Sequence, residues 1–434
     1  MIIRGAQPYG EAAQDIEISD GVISRISPAG SPPEEDASHE AFDVELDAAG
    51  CVLMPGLVDL HTHLREPGRE DSETIATGSR AAAKGGFTCV HAMANTAPVA
   101  DTAGVVEQVW RRGVETGLVD VRPVGAVTVG LQGAQLAELG AMASSAAQVR
   151  VFSDDGLCVH DPLLMRRALE YVKAFDGVVA QHAQDPRLTE GAQMNEGELS
   201  GRLGLAGWPA VAEEAIIARD VLLAEHVDSR LHVCHVSTAG SVEVVRWAKE
   251  RGIPVTAEAT PHHLLLTEEL VASFDPIYKV NPPLRREEDV MALREAVVDG
   301  TIDIIATDHA PHPREDKDCE WAAAAMGMIG LETALPIASQ VFIESGLMDW
   351  RTLGERMSVT PARIGRVADQ GAVIEVGVPA NLVVWDPSQS TVVTPAMFES
   401  KSANSPYLDR SFAGTVRHVI FRGRPTVVSG EVVS

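Results

Sequence analysis

From Val58 to about residue 309 the chain alternates eight short apolar runs with amphipathic, alanine-rich stretches, and no other feature constrains the fold as strongly. The runs are VDLHTHL (58 to 64), TCVHAMAN (88 to 95), VRPVGAVT (121 to 128), VRVFSDD (149 to 155), GVVAQHA (177 to 183), RLHVCHVS (230 to 237), IPVTAEAT (253 to 260) and TIDIIATDH (301 to 309). Between them lie helical patterns such as SETIATGSRAAAKGG, DPLLMRRALEYVKA and GSVEVVRWAKERG. The last two open near Asp161 and Gly240, and the last ends on Gly252. Strands that alternate with helices bury both faces only in a parallel sheet. Eight such units fit an α/β fold of the TIM (β/α)8 barrel type, whose functional site lies where the strands end.

The two ends of the chain read differently. Residues 1–53 carry short alternating segments such as DIEISDGVISRIS, interrupted by the polar loop SPPEEDASHE, and residues 370–434 return to strands and turns in GAVIEVGVPANLVVWDP and GTVRHVIFRGRPTVVSGEVV. The expectation is a catalytic barrel over 54–369 with one small β-sandwich domain built from both ends.

The chain has 434 residues and a formal charge of −27, which opposes approach to nucleic acid or anionic lipid and points to a small-molecule substrate. An acidic substrate would then need a local positive centre. Five cysteines (Cys51, Cys89, Cys158, Cys234, Cys319) form no CxxC pair and predict no disulfide. With neither a signal segment nor a run of about 18 apolar residues, a cytoplasmic protein is expected.

His61 and His63 stand two apart on a predicted strand, so both imidazoles project to one face and can grip one cation. Further groups of the same kind end other strands: Asp154 and Asp155 the fourth, His182 the fifth, His235 the sixth, Asp308 the eighth. In a barrel these ends converge on one mouth. Imidazole and carboxylate without thiolate suit zinc, with cobalt or manganese as substitutes. Four histidines and two aspartates exceed the roughly three protein ligands of one catalytic zinc, so two metals, bridged by Asp155 or Asp154, account for the set. Arg65, two residues after His63, is expected on the same face, its guanidinium set to pair with a substrate carboxylate. His262 and His263, as strand neighbours, would face opposite ways and are left out. Cys234 reads as a small buried hydrophobe turned away from the metal, and His309 as structural.

The motifs PGLVDLHTHLREPG (55 to 68), MANTAPV (93 to 99), FSDDG (152 to 156), HVCHVS (232 to 237), KVNPPLR (279 to 285) and IATDHAPH (305 to 312) together resemble those of bacterial type I dihydroorotases, in the amidohydrolase superfamily. The resemblance spans the barrel. It implies a reversible, zinc-dependent hydrolysis of the cyclic amide of dihydroorotate to N-carbamoyl-aspartate, in pyrimidine biosynthesis. It further implies that His61, His63 and Asp308 hold one zinc, that His182 and His235 hold another, and that Asp155 and a hydroxide bridge the two, with Asp308 also moving the catalytic proton. Substrate contacts implied in the same way are His63, Arg65, Asn95, Asn281, His312, Met326 and Gly327. Homo-oligomers, or a complex with aspartate carbamoyltransferase, are the partners such a resemblance brings into view.

Hydantoinase-like and allantoinase-like relatives share the HxH and TDHAP elements but bridge their metals with a carbamylated lysine, and no lysine lies between Lys84 and Lys173. They remain the first alternative, and an inactive scaffold paralogue of aspartate carbamoyltransferase the second. Three departures from the type I pattern stand out: MANT for MPNT, Ala183-Gln184-Asp185 where Cys-Glu-Asp is common, and Met326 where an aromatic usually precedes the glycine.

Overall fold

A computed structural model describes residues 1–31 and 42–433. All eight apolar runs form strands: Leu57–Thr62, Phe87–Ala92, Asp120–Pro123, Val151–Phe152, Val178–Gln181, Leu231–Val233, Val255–Ala259 and Ile304–Ile305. Neighbours pair in parallel in chain order. Two single bridges close the ring, Gly125 to Phe152 between the third and fourth strands and Thr62 to His309 between the first and last. The result is a (β/α)8 barrel whose first, second and fifth strands are buried at every residue, as continuous apolar runs require.

Local chemistry sets the helices. Helix Pro162–Val172 starts where Asp161 accepts the Leu164 amide at 2.9 Å, with proline at the first position, and it buries Met165, Ala168, Leu169 and Val172 on one stripe. Helix Ala239–Glu250 begins earlier than the expected Gly240, because the Thr238 hydroxyl accepts the Ser241 amide at 3.0 Å and caps it.

Nine strands from the two chain ends form the β-sandwich. Val52–Pro55 pairs antiparallel with Leu382–Val392 and so splices the ends together. The sheet divides at strand Ile2–Pro8, which pairs through Ile2–Arg4 with Glu45–Asp47 and through Gln7 and Pro8 with Val52 and Leu53. Ile3, Ile16, Leu53, Leu382 and Ile420 pack between the two layers. Residues 32–40 of the polar loop SPPEEDASHE lie outside the described residues. Trp385 and Val383 of the sandwich belong to the same buried cluster as Phe87 and Leu331 of the barrel, so the two parts share a core. All five cysteines are free, and no described helix is long and apolar enough to cross a membrane.

Candidate metal centre

Six side chains meet at the C-terminal mouth of the barrel. His61 lies within the first strand and His63 one residue past it; Asp155 follows the fourth strand, His182 the fifth, His235 the sixth and Asp308 the eighth. None is more than 5% exposed. Ligand-type atoms of His61, His63 and Asp155 lie within 4.8 Å of one another, as do those of Asp155, His182 and His235. Asp155 belongs to both sets. Its Oδ2 is 3.4 Å from His61 Nε2 and 3.3 Å from His63 Nε2, while its Oδ1 is 2.9 Å from His182 Nδ1 and 3.2 Å from His235 Nε2. Asp308 Oδ1 joins the first set at 3.0 Å from His63 Nε2 and 3.4 Å from His61 Nε2. Asp154 turns away and accepts the Val127 and Thr128 amides at 2.8 and 2.9 Å.

The donor set fits divalent cations. His61 Nδ1–H donates to Glu258 Oε1 at 2.6 Å, which leaves Nε2 a lone pair, and that buried nitrogen has no hydrogen-bond partner. His182 Nε2–H donates to Gln184 Oε1 at 2.7 Å, so its Nδ1 lone pair faces His235 Nε2 at 2.8 Å. His63 Nδ1 pairs with Asn95 Oδ1 at 3.0 Å. Lone pairs and carboxylate oxygens converge here with too few protons to satisfy them, a costly arrangement in a buried place that a cation bound by nitrogen and oxygen resolves. The electrostatics agree. Burial disfavours charge on His61, yet the carboxylates of Asp155, Asp308 and Glu258 raise its proton affinity well above that of an ordinary imidazole. Burial likewise opposes ionisation of Asp155, but His61 and His182 hold its carboxyl well below the usual range. The pocket is strongly negative and calls for positive charge.

Arg65 arrives by a different route from the one its spacing suggests. The strand ends at Thr62 and Arg65 has φ +62°, so alternation does not place it. Its Nε donates to the Pro311 carbonyl at 3.1 Å and its Nη2 lies 3.4 Å from His312 Nε2. That nitrogen donates at 3.0 Å to the Met326 carbonyl, the shorter of its two contacts. Burial pushes the His312 imidazole down to about 3, so it is neutral, and pushes the Arg65 guanidinium down to about 10, so it keeps its charge at neutral pH. Arg65, His312, Met326 and Gly327 therefore form one group on the rim. Asn95 stands against His63. Asn281 is tied to the opposite side, where its Nδ2 donates to Gln184 Oε1 at 3.2 Å.

One residue outside the predicted set, Glu258, braces the centre. Glu258 Oε2 accepts from His232 Nε2 at 2.9 Å, while its Oε1 holds His61 and accepts the His235 amide at 3.2 Å. The available signal was a lone acid inside the apolar run IPVTAEAT, since a carboxylate on a doubly buried strand needs partners. His262 and His263 sit on the short helix Pro261–Leu265 and not on a strand; both are buried, and His262 Nε2 has no partner. Cys234 packs with Met93, Val124, Val151, Val178 and Ala180 inside the barrel, its thiol within 4.8 Å of ligand-type atoms of His61 and Glu258. His309 hydrogen-bonds the Gly330 amide through Nδ1 at 3.2 Å and lies 3.4 Å from Glu73 through Nε2, which fits a structural role.

A family profile described as dihydro-orotase-like matches residues 50–241. Over 431 residues the chain is 65% identical to the dihydroorotase of Streptomyces coelicolor, with 99% of each chain covered. It is 62% identical to that of Leifsonia xyli subsp. xyli (100% of this chain, 97% of the relative) and 54% identical to that of Mycobacterium tuberculosis (100% and 99%). Among solved structures the fold is similar to an L-hydantoinase (dihydropyrimidinase) from Arthrobacter aurescens, with a TM-score of 0.87 at 25% identity over 100% of this chain and 97% of that one. A dihydropyrimidinase from Brevibacillus agri NCHU1002, at 21% identity and a TM-score of 0.82 over 100% and 96%, shares the fold.

Proposed function

The chain belongs to the dihydroorotase family, and on that footing we propose that it catalyses the reversible hydrolysis of the cyclic amide of (S)-dihydroorotate to N-carbamoyl-L-aspartate, a step of pyrimidine biosynthesis. His61, His63 and Asp308 would hold one zinc ion and His182 and His235 a second, with Asp155 touching both. When bound, such ions supply Lewis acidity toward the ring carbonyl oxygen and toward water.

The protein's own groups do the rest. Burial disfavours charge on Asp308, but His61 and His63 keep its carboxyl well below the usual range, so it is an ionised base beside the reacting centre. It takes the proton of the attacking water as the C–O bond forms and returns that proton to the ring nitrogen as the C–N bond breaks. Ring closure runs the same transfers in reverse. Arg65, with Asn95 and neutral His312, would pair with the substrate carboxylate, a local positive centre within a chain of charge −27. Asn281 and the main chain at Met326 and Gly327 would line the ring.

The observation that carries this reading over a hydantoinase-type amidase is Asp155, which addresses both imidazole pairs from a stretch of barrel that holds no lysine. The test is ring opening of dihydroorotate, hydantoin and allantoin, with and without chelator, in the wild type and Asp308→Ala. Dihydroorotate activity lost to chelator and to the substitution is expected; hydrolysis of hydantoin alone would overturn the reading.

A further inference from the structure

Two buried lysines lie beside the site, and the chemistry proposed above uses neither. Lys317 and Lys279 are 7% and 3% exposed, and neither forms an ion pair among the described residues. Both spend their protons on main-chain carbonyls. Lys317 Nζ donates to Lys279 O at 3.1 Å, to Ala325 O at 2.9 Å and to Gly327 O at 3.1 Å. Lys279 Nζ donates to Trp321 O at 2.6 Å and to Ala322 O at 3.2 Å. An ammonium has three protons to give, and Lys317 has three acceptors, so the protonated form fits the cage completely.

The cage holds the loop that carries the rim group. Gly327 N donates to Lys279 O at 3.0 Å, which joins the two lysine segments, and Met326 O accepts from His312. Gly327 has φ +148°, and a Cβ there would stand 2.7 Å from His312 Nε2, so its main chain lies directly against that ring. Movement of a few tenths of an ångström at Gly327 is therefore felt at His312.

We propose that Lys317 is a positioning residue for substrate binding: its Nζ hydrogen bonds pin the Met326–Gly327 main chain, and through it His312, where the substrate is held. This rests on the dihydroorotase reading given above. Lys317 touches no reacting atom, and the interactions it organises are made in the ground state as much as in the transition state. Its loss should therefore weaken binding more than chemistry.

The test is Lys317→Met, which keeps the aliphatic stem and removes every donor, assayed with dihydroorotate alongside metal content. The expected result is a rise in KM of about tenfold or more, with kcat within about threefold and the metal content of the wild type. Lys317→Ala should regain part of the lost affinity with ethylammonium and none with ethanol. A KM within about twofold of wild type overturns the proposal, as does a fall in kcat at constant KM, or metal loss, which would make Lys317 a support of the barrel as a whole. If Lys317→Met does not fold, Lys317→Ala without added amine, which likewise removes every donor, is held to the same criteria. Survival of activity in Asp308→Ala and in chelator would instead refute the dihydroorotase reading itself.

Discussion

Glu258 holds His61 Nδ1 at 2.6 Å with one carboxylate oxygen and His232 Nε2 at 2.9 Å with the other. A buried carboxylate shared between two imidazoles fixes which nitrogen of His61 carries the proton, and so turns the Nε2 lone pair toward Asp155 and Asp308. Removing the charge while keeping the shape, as in Glu258→Gln, is expected to lower metal affinity by about 10–100-fold. Competition with a graded chelator, followed by elemental analysis, measures it. Affinity equal to the wild type would show that Glu258 has no part in orienting His61.

His182 has a weaker support. Its outward nitrogen meets the neutral amide of Gln184 at 2.7 Å, where His61 meets a carboxylate, so His182 is the less basic ligand. With two ions bound as proposed, stepwise dialysis against chelator should strip the one at His182 and His235 first. Gln184→Ala should hasten that first loss and leave the second unchanged. Simultaneous release of all metal from both proteins would count against the asymmetry.

Asp308→Asn keeps the outline of the side chain and cannot accept a proton. A fall in kcat of about 10²–10⁴-fold for ring opening is expected, the usual contribution of a positioned general base. Residual activity within tenfold of wild type would assign the proton transfer to another group.

Arg65 lies with a neutral histidine on the rim, and in the proposed reading its charge is what would attract the acidic substrate. Arg65→Lys retains the charge but loses the planar fork, and KM should rise by about tenfold, roughly the loss of one charge-assisted hydrogen bond. Added salt should raise the wild-type KM modestly, and an unchanged KM in the variant would place the carboxylate elsewhere.

A stability prediction concerns His91, on the second barrel strand and outside the ligand set. Burial pushes its imidazole down to about 4, although Nδ1 donates to the Asp59 carbonyl at 3.0 Å. A base held neutral in the folded state costs nothing above its unfolded pKa of about 6.5 and progressively destabilises the fold as pH drops toward 4, where the unfolded chain alone takes the proton. The integrated loss is about 3 kcal/mol. His91→Gln should therefore be less acid-sensitive than the wild type by that amount between pH 6.5 and 4, measured by urea unfolding. Parallel pH profiles would disprove it.

Much of the architecture could be read in the chain. Each of the eight apolar runs contains a strand because a strand buried on both faces must be mostly apolar, and that is a local property. The residue types at the strand ends were legible for the same reason: His61, His63, Asp155, His182, His235 and Asp308 are ordinary in sequence and come together only because a closed barrel gathers its strand ends on one mouth. Local logic failed where the strand stopped sooner than its apolar run. Arg65, His235 and Asp308 have φ of +62°, +30° and +48°, so strand alternation says nothing about where they point, and each non-glycine residue in that region costs roughly 1 kcal/mol that the fold must offset. His262 and His263 lie past the seventh strand, on a helix that Thr260 caps, so strand alternation does not apply to them either.

The sequence by itself determined the period of strand and helix, the sign of the long-range field, and the kinds of ligand on offer. Tertiary structure alone decided that Glu258 and Gln184 orient His61 and His182, and that Lys317 meets three carbonyls. The physical reason is distance along the chain. His61 and Glu258 are 197 positions apart, and His63 and Asp308 are 245 apart. Hydrogen-bond direction depends on ångström-scale placement that no local pattern encodes.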